Sequence, residues 1–150
     1  EIARNAIDLF KDTTSVKFEL QIAGSHNILG DKEQFLRVFN NLIKNSLQAI
    51  RNPEDGIIRI QIIEKETHHI VSISDNGQGI PDYQKDKVFY QNFTTKSGGT
   101  GLGLALVKNI VVNAGGEIDF ESGTDGTTFN ITIPKYIANK TNHSEDETRQ

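Results

Sequence analysis

Ile70-Val71-Ser72-Ile73-Ser74-Asp75-Asn76-Gly77-Gln78-Gly79-Ile80-Pro81 is the stretch on which the fold turns. Its first half, Ile70 to Ser74, predicts a strand, and the Asp, Asn, Gly and Pro that follow predict its abrupt end. A plain turn satisfies that pattern. A functional reading places the Asp75 carboxylate at the strand end, accepting a hydrogen bond from an exocyclic amine. Gly77 and Gly79 then let the backbone pass close to a flat ring. A buried acceptor of this kind separates adenine from guanine, whose carbonyl oxygen at the same place leaves both groups unpaired. A calcium loop fails on its ligands: Gly77 and Gly79 stand where side-chain oxygens are needed, and the twelfth position is Asp86 rather than Glu.

Working outward, the other elements follow from period. Ile2 to Phe10 predicts a short helix with Ile2, Ala6, Leu9 and Phe10 on one side. Val16 to Ile22 alternates strictly and predicts a half-buried strand. Asp31 is a plausible N-cap for a long helix from Lys32 to about Arg51, ended by Asn52-Pro53. Ile57 to Ile63 predicts the strand before Ile70 to Ser74. Leu102 to Asn113 predicts a second convincing helix, closed by Gly115-Gly116. Glu117 to Glu121 and Thr127 to Ile133 predict a hairpin around residues 122–126. The order implies an α+β two-layer sandwich, with a mixed, largely antiparallel sheet of about five strands packed on about three helices.

Two further segments carry chemistry. In the long helix, at about 100° per residue, Phe35, Phe39, Leu42, Ile43, Ser46 and Ile50 share an apolar arc. Asn41 and Asn45, four apart, fall together outside it, beside Arg37, Lys44 and Gln48. A solvated polar face is the plain reading. The functional one is a carboxamide oxygen on Mg²⁺, a hard ion that takes oxygen ligands and shares its shell with water and phosphates. Ser97-Gly98-Gly99-Thr100-Gly101-Leu102-Gly103-Leu104 opens the second helix, where free N–H groups and the helix dipole favour phosphate. It is not a P-loop, since no Gly-Lys-Ser/Thr follows, and the dinucleotide pattern fails at Leu104 and again at Asp82. By itself this segment reads equally well as a flexible linker.

The four boxes in order are Asn-x-x-x-Asn on a helix, strand-Asp-x-Gly-x-Gly, a Gly-Thr-Gly-Leu-Gly-Leu helix start, and a hairpin with Gly126-Thr127-Thr128-Phe129. Together they closely resemble the ATP-binding domain of sensor histidine kinases, within the wider family shared with gyrase-type ATPases and heat-shock chaperones. The resemblance covers about Phe18 to Pro134 and implies the Bergerat ATP-binding fold, with ATP and Mg²⁺ as cofactors. It implies Asn45 as the metal ligand and Asp75, with Gly77, Gly79 and Ile80, as the adenine contact, Thr127 helping through a water. Phe89 to Lys96 matches the aromatic box, which with the glycines would form a lid. Phe93, Thr94, Thr95 and Lys96 are its site candidates, Lys96 as a point charge on the terminal phosphates. Of Phe89 and Phe93, one is expected in the core. Gly99, Thr100, Gly101, Leu102, Gly103 and Leu104 would meet the phosphates, and Lys44 is a further candidate cation.

Asn41 stands where ATPase relatives carry a glutamate that activates water, and an amide has no proton affinity near neutral pH. The expectation is a domain that binds ATP and hydrolyses it very slowly, as suits a kinase that must hold its γ-phosphoryl group for an acceptor. None of His26, His68, His69 and His143 lies in a helical His-Glu/Asp-x-x-x-Pro context. The resemblance therefore implies an acceptor histidine on a separate dimerisation domain upstream and a response-regulator receiver domain downstream, in a two-component signal-transduction phosphorelay. Residues 1–12 are expected to end the connection to that domain, 13–137 to form the catalytic domain, and the nearly apolar-free 138–150 to be a disordered tail. An ATP-gated clamp, a serine kinase of the anti-sigma type and a non-catalytic module are the alternatives. The first two expect an acidic residue at position 41.

Composition narrows the classes. At 150 residues the chain can bury roughly 70% of its unfolded surface without staples. It contains no cysteine, which excludes disulfides and thiolate metal sites and fits a reducing, cytoplasmic setting. A net charge of −4 without a dense basic run gives a nucleic-acid role no electrostatic support. No run approaches the roughly 20 apolar residues of a membrane span, so no direct membrane contact is expected, although a longer parent can carry an anchor.

Overall fold

The computed structural model describes residues 1–24, 31–90 and 103–135. In chain order the elements are α1 (Ile2–Phe10), β1 (Lys17–Ala23), α2 (Lys32–Ala49), a 3₁₀ turn (Pro53–Asp55), β2 (Ile57–Glu64) and β3 (His68–Asp75). Then come α3 (Asp82–Lys85), α4 (Gly103–Asn113), β4 (Glu117–Gly123) and β5 (Gly126–Pro134). The strands form a single sheet in the order β1-β2-β3-β5-β4. Among the described residues, only the β1–β2 pair is parallel. A parallel pair needs a long crossover, and α2 supplies it.

Local chemistry explains the elements. The Asp31 carboxylate accepts the Glu33 N–H at 2.9 Å, the N-cap expected of it. Helix α2 stops at Ala49, two residues before the expected end, because Ile50 is already extended ahead of Asn52-Pro53. Gly115, at φ +81°, closes α4 with its N–H on the Val112 carbonyl.

One sheet face carries the core. Strand β5 buries Thr127, Phe129, Ile131 and Ile133 in strict alternation. Across it, Ile60, Ile73, Phe129 and Phe120 form one inward row, and Ile62, Val71, Ile131 and Ile118 the next. Helix α2 lays Phe35, Val38, Phe39, Leu42, Ile43 and Ser46 over these rows, and α4 adds Val107, Ile110 and Val111. Helix α1 packs on α2 through Ala3 and Ala6, which belong to the same core. Leu9, expected on its buried side, is instead 60% exposed, while Ala3 and Ile7 turn toward the core. The rest of the expected side holds: Ala6 is buried, and Ile2 and Phe10 pack against the core.

The one-turn α3 is an addition to the expected helices, and four residues are too few to show a helical period. Phe89 packs edge-on against Phe120 and Phe129, with ring centroids 5.8 and 6.3 Å away, and so joins the core; Phe93 lies outside the described residues.

Candidate active site

The inward rows change character at one end of the sheet. Beyond Ile60-Ile73-Phe129-Phe120 the next row reads Ile58-Asp75-Thr127-Ser122. Alternation puts these polar residues on the core face where helical cover runs out. A cleft of about 390 Å³ opens there, lined by Asp75, Thr127 and Phe129 from the sheet, Asn45, Gln48 and Ala49 from α2, and Leu104 from α4. Gln78, Gly79, Ile80 and Pro81 complete it from the loop after β3, with Arg51 and Gln84 at its margin.

Asp75 is held firmly. Its Oδ1 accepts the Gly77 N–H at 2.9 Å and the Thr127 N–H at 3.3 Å. Those two bonds use part of the roughly four acceptor positions of a carboxylate and fix its plane. Thr127, 4% exposed, has its Oγ1 2.7 Å from the Ser122 hydroxyl, which also accepts the Ile80 N–H at 2.7 Å. Strand end, hairpin and loop are thus tied into one wall.

The two loop glycines meet protein. A side chain on Gly77 would lie 2.7 Å from the Ala49 carbonyl, where the loop crosses the end of α2 and Gln78 donates its N–H to the same oxygen. At Gly79, φ is +79° and a side chain would overlap the Gly123 carbonyl oxygen. Asn76 is a clamp: its Oδ1 accepts the Ile57 N–H and its amide donates to the Asp55 carbonyl, both at 2.8 Å. On α3 the Lys85 ammonium donates to the Ser122 carbonyl at 2.8 Å and pairs with Asp82, whose carboxyl it holds below its ordinary value.

On α2, Asn45 lines the cleft and Asn41 lies one turn away, its amide bonded to the Arg37 carbonyl at 2.8 Å. A side chain on Gly103 would stand 3.0 Å from Asn41 Oδ1, so Asn41 faces the start of α4. Lys44 is exposed. Of the expected site residues, Asn45, Asp75, Gly79, Ile80, Leu104 and Thr127 meet in the cleft. Gly77 lies buried behind it, and Asn41 and Gly103 sit together beside it. Phe93, Thr94, Thr95, Lys96, Gly99, Thr100, Gly101 and Leu102 lie outside the described residues.

Sequence reasoning missed Gln48 as a lining residue, and with it Arg51, Gln78, Gln84 and Phe129. Arg51 donates from Nε to the Gln78 side chain at 2.9 Å. For Phe129 a signal existed, since it is two residues from Thr127 on the same face of a strand. For the glutamines nothing in the local pattern distinguishes a cleft wall from solvent.

Comparison with known proteins places the chain in a family. Residues 30–137 match the family described as histidine kinase-, DNA gyrase B- and HSP90-like ATPases. The chain belongs to that family. It is 39% identical over 107 residues to the C4-dicarboxylate transport sensor protein DctB of Rhizobium meliloti, covering 71% of this chain and 17% of that protein. It is 38% identical over 124 residues to the sensory histidine kinase/phosphatase NtrB of Azospirillum brasilense, covering 73% of this chain and 30% of that one. Among solved structures, the catalytic domain of histidine kinase ThkA superposes with a TM-score of 0.80 at 31% identity, over 89% of this chain and 90% of that domain. The chain therefore spans less than a third of these two curated relatives and nearly all of a histidine kinase catalytic domain. Among the described residues, no helix is long and apolar enough to cross a membrane.

Proposed function

We propose that this family member is the Mg²⁺–ATP-binding catalytic domain of a sensor histidine kinase. The observation that carries the reading is the Asp75 carboxylate, fixed by two backbone N–H groups at the polar end of an otherwise apolar sheet face and facing an open cleft. A purine fits between the Gly79–Ile80 loop and Leu104, with its exocyclic amine on Asp75. The triphosphate then runs toward Asn45, Asn41 and the N-terminus of α4, where the glycine-rich segment ends. Lys96 and the backbone N–H groups of Gly99 to Gly103 are assigned to the phosphates, with Phe93, Thr94, Thr95 and Lys44 around them, while Gly77 supports the adenine contact from behind by its N–H on Asp75.

The donor chemistry fits Mg²⁺. No group of three or more His, Cys, Asp or Glu gathers among the described residues. An ion here takes one carboxamide oxygen, from Asn45, and completes its shell with phosphate and water oxygens, as Mg²⁺ does in nucleotide sites. When bound it supplies charge neutralisation across the phosphates.

The chain's own residues orient the nucleotide and withhold a base. Asn41 cannot take a proton from water, and its amide is already engaged with the Arg37 carbonyl. The γ-phosphoryl group is thereby kept for an imidazole nitrogen on a separate dimerisation domain. That nitrogen bonds to the γ-phosphorus as the bridging P–O bond to ADP breaks, and a response-regulator aspartate receives the group next. A solved complex of histidine kinase ThkA with response regulator protein TrrA, 27% identical with a TM-score of 0.75, supports such a partner. A cytoplasmic location of this domain accords with its lack of cysteine.

The test is calorimetric titration of the domain with ATP and GTP, each with and without Mg²⁺. Selective, Mg²⁺-strengthened ATP binding is expected, and a folded domain that binds neither nucleotide refutes the reading. Slow phosphate release that Asn41→Ala leaves unchanged is expected alongside. Rapid release lost in that variant would make position 41 an activator of water.

A further inference from the structure

We propose that Ser122 is a positioning residue that directs the proton of the Thr127 hydroxyl into the cleft, and so contributes to the choice of adenine over guanine. The inference rests on the nucleotide reading above.

Ser122 lies on β4 directly across from Thr127, behind the residues that line the cleft. Three groups surround its hydroxyl oxygen: the Ile80 N–H at 2.7 Å, the Thr127 Oγ1 at 2.7 Å and the Gly126 carbonyl oxygen at 3.4 Å. Its own carbonyl is held by Lys85 at 2.8 Å. The residue therefore joins the loop wall, the β5 wall and α3.

Counting protons sets the direction of the chain. A serine hydroxyl has one proton and two lone pairs, and the Ile80 N–H takes one lone pair. If Thr127 donated to Ser122, the serine proton would be left with the Gly126 carbonyl at 3.4 Å, beyond the roughly 2.5–3.0 Å of a good O–H···O bond. If Ser122 donates to Thr127, its proton occupies the 2.7 Å bond and the weak contact is not needed. The second arrangement leaves Thr127 with a proton to place, and Thr127 lines the cleft.

The cleft wall then presents an acceptor, Asp75, beside a donor, Thr127, on directly paired positions of adjacent strands. Adenine offers the complement, an exocyclic N–H next to the N1 lone pair. Guanine offers a carbonyl oxygen next to N1–H, wrong at both points. One water between Thr127 and the base transmits the same polarity.

The test compares ATP, GTP and 1-deaza-ATP, which lacks the N1 acceptor, by calorimetry on the wild-type domain, Ser122→Ala and Ser122→Thr. The wild type is expected to bind 1-deaza-ATP about 3- to 10-fold more weakly than ATP. Ser122→Ala should weaken ATP by a similar factor, leave 1-deaza-ATP nearly unchanged and narrow the ATP-to-GTP ratio. Ser122→Thr, which keeps a hydroxyl, should restore the wild-type pattern. Equal losses for ATP and 1-deaza-ATP in Ser122→Ala would mark a structural tie and overturn the inference. Should that variant not fold, the wild-type comparison decides, because equal binding of ATP and 1-deaza-ATP overturns it without any substitution. ATP binding without N1 dependence defeats this inference alone, whereas no ATP binding at all defeats the nucleotide reading too.

Discussion

Two neighbouring residue pairs on β3 and β5 use similar chemistry to opposite ends. Ser74 and Thr128 face each other on the outer side of the sheet, hydroxyl to hydroxyl at 2.9 Å. One position along, Asp75 and Thr127 face each other on the inner side, joined by the Thr127 N–H at 3.3 Å. The outer pair belongs to a polar ladder that also includes Ser72 with Asn130 and Arg59 with Glu19. Its members satisfy one another against solvent, where such contacts contribute little. The inner pair has backbone groups fixing it from behind and a cleft in front. Under the proposed function, the inner side chains are suited to binding because their fixed partners lie on one side and the cleft on the other.

The comparison can be broken most sharply at Asp75. Asp75→Asn keeps an oxygen for the Gly77 and Thr127 N–H groups but replaces the other by a donor. ATP affinity should fall about 10- to 100-fold, roughly 1.5–3 kcal/mol, with the thermal midpoint little changed. An unaltered affinity in calorimetry would remove Asp75 from its role. Gly79→Ala tests whether the loop in front of the inner pair depends on its backbone. The positive φ and the Gly123 carbonyl predict a stability loss of about 1–3 kcal/mol in denaturant unfolding. A variant as stable as the wild type would show that the loop relaxes freely. Asn45→Ala should weaken ATP on the order of tenfold with Mg²⁺ present and much less with chelator. Equal losses in both conditions count against a metal ligand. The smallest effect belongs to the outer pair: Ser74→Ala should shift stability by less than about 0.5 kcal/mol and leave ATP binding alone. A marked loss of nucleotide affinity there would mean that the two faces are coupled through the sheet.

Much of this was legible in the chain. The 3.6-residue period of α2 marked its buried face, and the Asp31 cap fixed where α2 begins. In β1 the alternation placed Phe18 and Leu20 against the core but failed at Ile22, which is 39% exposed. Asp75 was readable as a candidate because a carboxylate beside Gly77 and Gly79 follows an alternating strand. Other features were not. On α1 only Leu9 was misassigned, because a nine-residue helix with apolar residues at most positions leaves the edge of its buried face open. Gly77 and Gly79 looked like room for a ring, whereas the close approach is to Ala49 and Gly123, residues 28 positions before one and 44 after the other.

By itself the sequence determined the kind and order of most elements, the polarity of most faces and several of the residues that line the cleft. These are local properties, written in residue types and spacings within a few turns of chain. The tertiary structure decided that β5 sits between β3 and β4, that β1 joins β2 in parallel, and that Ser122, Gln48 and Gln84 belong to the cleft or its support. The physical reason is that strand pairing and cleft walls depend on contacts between distant segments, and hydrogen-bond direction in a half-buried chain of hydroxyls depends on every neighbour at once. No local pattern carries that information.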